Sequence, residues 1–322
     1  MRFLFKNNLT QFIATCLLAG MVTAASAQSK VTKIYVAFPP GGPVDFVART
    51  LTEQLGKELG QTVVVENKPG ANGAIAADAL MKAPADGQTL WLTSVGAVAI
   101  NPSLYPNLPY DPMRDLAPVS LVVNNVELLV VHPNAPVNSP QEFIQWSKQK
   151  GVTMASSGTG SVPHLAMELL ADATKTDLTH VPYKGAAPAI TDVMAGHVDG
   201  FFGDIPGLMT HIRSGKLKAV GLASTRRHPL FPDVKTFQEM GVNGVDSDNW
   251  YALFTHKGIA AADLERINQA VRRTLANETV RSKLITSGAE PAGSTPSELA
   301  TVLKNDMAKW GRVIRDKKVK PD

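Results

Sequence analysis

The sequence predicts an α/β protein made of two successive halves, each a mostly parallel sheet flanked by helices. Three observations carry this expectation. Short β-branched runs alternate with segments of helical apolar spacing along most of the chain. Hydrophobic residues make up 44% and charged residues 19%, the balance of an ordinary globule. The 322 residues suffice for about two domains.

Val31 to Phe38 reads as a strand and runs into a glycine and proline loop. Apolar positions 44, 47, 48, 51, 55 and 59 then mark one face of a helix that Gly60 ends. A strand from Thr62 to Glu66, a turn at Asn67-Lys68-Pro69-Gly70, a helix over about 73 to 82 and a strand from Thr89 to Thr93 continue the alternation. Leu121 to Val131 is apolar and extended, and Ser139-Pro140-Gln141-Glu142 opens the next helix as a capping box with proline in the first turn. The second half has strands near Val152 to Ser156, Leu178 to Val181, Val198 to Phe202 and Leu217 to Ala223. Its helices lie near 162 to 174, 186 to 196 and 206 to 213. The last quarter reads as helical, including Ala261 to Ala276 and a segment opened by Thr295-Pro296-Ser297-Glu298.

The first 27 residues read as a cleavable secretory signal: Arg2 and Lys6 precede an apolar run from Phe12 to Val22 that ends in Ala25-Ser26-Ala27. Its removal lowers the formal net charge of +4 by two and takes away Cys16, the only cysteine. Disulfide and thiol chemistry are thereby excluded from the expected mature chain, and so small a net charge is no footprint for nucleic acid. Phosphate-loop, dinucleotide-fingerprint, nucleophile-elbow and zinc-helix motifs are all missing. The seven histidines include no pair closer than fourteen residues, so no local metal clip is visible, and neither metal nor cofactor is expected.

Two similar loops stand out, one in each half, where a strand passes through glycines into a helix with proline near its start. The first is Pro39-Pro40-Gly41-Gly42-Pro43-Val44-Asp45; the second is Ser156-Ser157-Gly158-Thr159-Gly160-Ser161-Val162-Pro163-His164. Glycine lets backbone approach a ligand, and the open N–H groups at a helix start favour an anion. Each loop also has a plain reading as a tight turn. Two such loops facing one another would hold an anion with two acidic ends. Asp45 and Arg49 are spaced for a structural ion pair one turn apart. Asp204 follows a strand and precedes Pro206, either as a helix cap or at the strand end where α/β sheets bind ligands.

Further along, the residues Pro40-Gly41-Gly42-x-x-Asp45-x-x-Ala48-Arg49, Val65-Glu66-Asn67-x-Pro69-Gly70-Ala71-x-Gly73, Ala85-Asp86-Gly87-x-Thr89-Leu90, Asn101-Pro102-x-Leu104-Tyr105 and Leu108-Pro109-Tyr110-Asp111 form a series. It continues with Gly158-x-Gly160-Ser161-x-x-His164-Leu165-Ala166, His180-Val181-Pro182-Tyr183-Lys184-Gly185 and Gly215-Lys216-Leu217. This series resembles the Bug family, the extracytoplasmic solute receptors of tripartite tricarboxylate transporters, across essentially the whole expected mature chain. The resemblance implies a two-lobed, type II-like periplasmic binding protein that closes by hinge motion around a small carboxylate, and no enzyme. It implies two crossings between lobes, near 122 to 131 and near Trp250, with lobe one at 28–128 plus 249–322 and lobe two at 129–248.

Carried over by position, the resemblance implies ligand contacts at Phe38, Pro40, Gly41, Gly42, Val44 and Asp45 in the first loop, and at Ser157, Gly158, Thr159, Gly160 and Ser161 in the second. His164 is expected to brace its loop, Asp204 to meet a ligand amino group, and Thr93 and Ser94 to face the cleft. The sequence departs from the family at Lys235, at Thr255-His256-Lys257-Gly258, and at Glu127, an acid in a crossing segment that is normally apolar. The implied function is delivery of a dicarboxylate, aromatic carboxylate or acidic amino acid to an inner-membrane permease, by a monomer. A ligand-responsive partner of a sensor kinase shares the fold and is the alternative; a periplasmic enzyme is the third reading.

Overall fold

A computed structural model describes residues 30–321. The expected signal segment lies outside the described residues. The order is β1 (Val31–Val36), α1 (Pro43–Leu59), β2 (Thr62–Asn67), α2 (Ala74–Met81), β3 (Thr89–Ser94), β4 (Leu116–Asn125), β5 (Glu127–Val131), α3 (Pro140–Gln149), β6 (Val152–Ser156), α4 (Val162–Thr174), β7 (Leu178–Pro182), α5 (Ala186–Ala195), β8 (Gly200–Asp204), α6 (Ile205–Arg213), β9 (Lys218–Leu222), β10 (Asn249–His256), α7 (Ala261–Ala276), α8 (Glu278–Ser287), β11 (Glu290–Pro291) and α9 (Pro296–Lys317).

The strands form two sheets, ordered β11-β4-β10-β3-β1-β2 and β7-β6-β8-β5-β9. Both are mixed. In the first, β1 pairs parallel with β2 and β3, while β10 runs antiparallel to β3 and β4. In the second, β6 pairs parallel with β7 and β8, while β5 runs antiparallel to β8 and β9. The antiparallel share comes from the segments that carry the chain between sheets. β4 passes directly into β5 at Val126, and the return reaches the first sheet as β10. Strand β10 lies within the quarter expected to be helical; its apolar run Trp250 to Phe254 is that of a central strand buried on both faces.

Local chemistry explains the helix ends. Helix α1 buries Val44, Val47, Ala48, Leu51 and Leu55 against the first sheet and stops at Gly60, whose φ of 64° is the left-handed turn glycine permits. Thr295 and Glu298 close a full capping box on α9. At α3 the box is half formed. Ser139 accepts from the Glu142 N–H, but the Glu142 carboxylate reaches back to the Asn138 N–H instead. Each sheet is covered on both faces; Trp91, Trp310, Tyr251, Phe143 and Phe202 are among the largest fully buried side chains.

Candidate ligand-binding cleft

The carboxyl ends of β1, β3, β6 and β8 converge on a cavity between the two sheets. Phe38, Gly42 and Val44 line it from the first half, with Ser94 and Tyr251; Ser157, Ser161, Ala186 and Asp204 line it from the second. No lysine or arginine lines it.

Four helices begin at this wall. The N-caps of α1, α5 and α6 are Gly42, Gly185 and Asp204, and none of the three makes a side-chain cap. The first N–H groups of those helices therefore remain open, with the positive ends of the helix dipoles. Helix α4 differs, since Ser161 accepts from the His164 N–H. The start of α5 is a part of the wall that the two-loop reading missed. Its signal was present in Tyr183-Lys184-Gly185, followed by Pro188 in the first turn of the helix.

The loops themselves are braced from behind. Gly41 donates its N–H to Oδ2 of Asp45 at 3.0 Å, Arg49 Nε donates to the same oxygen at 2.9 Å, and Asn67 Nδ2 donates to Oδ1 at 2.9 Å. Burial works against the Asp45 charge, but the bonds from Arg49, Gly41 and Asn67 prevail and hold its pKa below the ordinary value. Asp45 is thus a buried strut of the loop, and Pro40 and Gly41 are exposed and off the cavity wall.

In the second loop Gly160 donates its N–H to Nδ1 of His164 at 3.2 Å, Gly158 donates to Ser156 Oγ at 3.1 Å, and Ser161 donates to the Gly158 carbonyl at 3.0 Å. The glycine N–H groups expected to meet an anion are thus committed within the loop. Ser157 and Ser161 reach the cavity, whereas Gly158 and Thr159 line a neighbouring space with Tyr105 and Lys184. Ser94 is on the wall and Thr93 is buried behind it; Gly160 and His164 are also off the wall.

The floor is acidic. Asp204 accepts from Asn249 Nδ2 at both oxygens, 3.1 Å each, and from the Tyr251 hydroxyl. Burial pushes its carboxyl up to about 6, opposed by the Tyr251 and Asn249 bonds. Glu127 sits directly opposite Asp204 in the β5–β8 register and is fully buried, with neither carboxyl oxygen hydrogen-bonded. Burial first, and Asp204 second, raise its pKa well above the ordinary value. No group of three or more metal-ligating side chains occurs among the described residues.

Residues 47–319 match the tripartite tricarboxylate transporter family receptor. Protein BugT of Bordetella pertussis is 35% identical over 308 residues, covering 95% of this chain and 94% of BugT. Two solved Rhodopseudomonas palustris structures are also similar. MatC with bound malate is 33% identical, with a TM-score of 0.83, covering 88% of this chain and 99% of MatC. Rpa4515 with adipate is 29% identical, with a TM-score of 0.88, covering 92% of this chain and all of Rpa4515. No helix of the described residues is long and apolar enough to cross a membrane. On the extent of the family match and the shared two-sheet architecture, the chain belongs to the receptor family of the tripartite tricarboxylate transporters.

Proposed function

We propose that this chain is a periplasmic solute receptor that binds a small organic carboxylate in the cavity and delivers it to a tripartite tricarboxylate transporter permease. The observation that supports this most is the wall itself, where three helix N-termini without side-chain caps meet a cavity that no lysine or arginine lines. Each helix end stabilises an anion by about 0.3–1 kcal/mol, and by up to about 2 kcal/mol when partly buried. Backbone hydrogen bonds to a carboxylate add about 1.5–3 kcal/mol each. The lobes in this reading are 28–128 plus 249–322 and 129–248, and the ligand contacts are Gly42, Val44, Ser94, Ser157 and Ser161. Asp204 is the contact for an amino group if the solute carries one. Malate and adipate in the related structures support the solute class.

The test is a thermal-shift screen of ligand-free protein against dicarboxylates, citrate, acidic amino acids and aromatic carboxylates. A ligand at about 100 times its Kd stabilises by about 2.7 kcal/mol, several degrees at this size. No shift with any acid, in protein shown by mass spectrometry to be ligand-free, would remove the carboxylate reading.

A further inference from the structure

A second, roomier compartment adjoins the inner cavity, and Phe38 and Ser157 line both. The two spaces are divided where the start of α5 touches the first loop. Gly185 packs against Pro39 so closely that a Cβ on it would lie 2.6 Å from Pro39 Cδ. Pro39 and Ala186 line the inner side of this contact, Lys184 and Gly185 the outer side. The open N–H groups that begin α5 therefore stand between the compartments, with the positive end of the helix dipole.

Charge is arranged in order along this path. At the inner end lies Asp204, whose carboxylate already accepts from Asn249 and Tyr251. At the outer end Lys184 is the only charged side chain among the described residues that line the compartment. It is exposed and makes no ion pair or hydrogen bond with the described residues. Its neighbour Tyr183 is committed elsewhere. That hydroxyl donates to Asp192 Oδ2 at 2.6 Å and ties the segment carrying Lys184 to helix α5.

An acid, then open helix ends, then a cation dictate how a solute with two carboxylates can lie. One carboxylate is stabilised at the helix ends. A second carboxylate directed inward would face Asp204, a like charge in a closed site where Coulomb repulsion is strong. Directed outward, it meets the Lys184 ammonium instead. A monocarboxylate leaves that ammonium unused.

We infer that the solute carries two carboxylates and spans both compartments, one carboxylate at the open helix ends and the other paired with Lys184, which selects a diacid over a monoacid. The inference rests on the receptor reading above and narrows it to a solute class.

The experiment measures Kd by isothermal titration at pH 8.0, where every acid used is fully ionised. It takes two matched pairs, adipate with hexanoate and succinate with butyrate, in which a methyl group replaces one carboxylate. Wild type is compared with Lys184→Gln and Lys184→Arg. In wild type at low salt, at least one diacid should bind about fivefold or more tightly than its monoacid, the effect of one exposed ion pair. Lys184→Gln should bring that ratio to within about twofold of unity through weaker diacid binding, and Lys184→Arg, which keeps the charge, should retain most of it. Half-molar salt should shrink the ratio in wild type and in Lys184→Arg but not in Lys184→Gln, because salt screens an exposed pair and leaves shape alone.

A ratio that survives in Lys184→Gln, or a wild type that binds each monoacid as tightly as its diacid, would overturn the inference and leave the carboxylate receptor standing. Binding of none of the four acids would overturn both.

Discussion

Asn72 of the first half donates its side-chain amide to the carbonyl oxygen of Gly160 in the second, at 2.8 Å. The same amide nitrogen donates to Asn101 Oδ1 at 2.9 Å, and Asn72 holds a left-handed backbone with φ of 44°. Tyr105 adds a second tie by donating its hydroxyl to the Thr159 carbonyl at 3.2 Å. Both bonds join first-half residues to the loop that lines the cavity, so they tie the two sheets together at its rim.

Asn72→Gly should therefore weaken ligand without disturbing the turn, since glycine accepts the left-handed backbone at no cost. Loss of one cross-half hydrogen bond, net about 0.5–1.5 kcal/mol, corresponds to a decrease of roughly two- to tenfold in affinity. Isothermal titration with adipate or malate measures it. An unchanged Kd would show that this bond does not contribute to ligand binding.

Gly42 and Gly160 should respond differently to valine. Gly42 has a φ of −80°, and a Cβ there meets only the Pro39 carbonyl at 3.7 Å, so Gly42→Val should fold normally and lose binding by at least about tenfold through blocking the open helix end. At Gly160 a Cβ would lie 2.6 Å from Leu104 Cδ2, at a φ of +79°. Gly160→Val should lower the melting temperature as well as the affinity. Paired thermal denaturation and titration separate the two outcomes.

Removing an ionisable acid from the floor should raise stability at neutral pH. An acid whose folded-state pKa lies above its unfolded value of about 4 binds protons on folding between the two, so stability falls as pH rises through that window and stays lower above it. For Asp204 the window ends at about 6. Glu127→Gln, which relieves the buried pair, should raise the melting temperature at pH 7.5 by a few degrees and have little effect at pH 4. Equal effects at both pH values would assign the gain to packing.

Asp45 should behave in the opposite sense. Its pKa is held below the ordinary value, so its contribution is present above the unfolded pKa and is lost as pH falls through the folded one. Asp45→Ala leaves the Gly41 N–H and the Asn67 amide without this acceptor and should cost about 1–3 kcal/mol in urea denaturation at pH 7. The difference from wild type should shrink as pH falls below the ordinary carboxylate range.

The sequence alone determined the alternation of strands and helices, the helix starts at Ser139, Ser161 and Thr295, and the Asp45–Arg49 pair. Each is written within a few residues, as apolar spacing, a capping side chain or an i to i+4 step. It also pointed to both loops and to Asp204 at a strand end. Tertiary structure decided what those residues do. Whether the Gly158 and Gly160 N–H groups stay open depends on Ser156 and on a histidine whose stacking partner is sixteen residues away. Asp204 became the partner of Tyr251 and Asn249, and the neighbour of Glu127, because three strands distant in sequence meet at the crossing between sheets. Periodicity and capping act over one or two turns and are legible in order along the chain. Hydrogen-bond partners across a fold are chosen by which surfaces the core brings together, and a buried polar atom takes the partner it finds there.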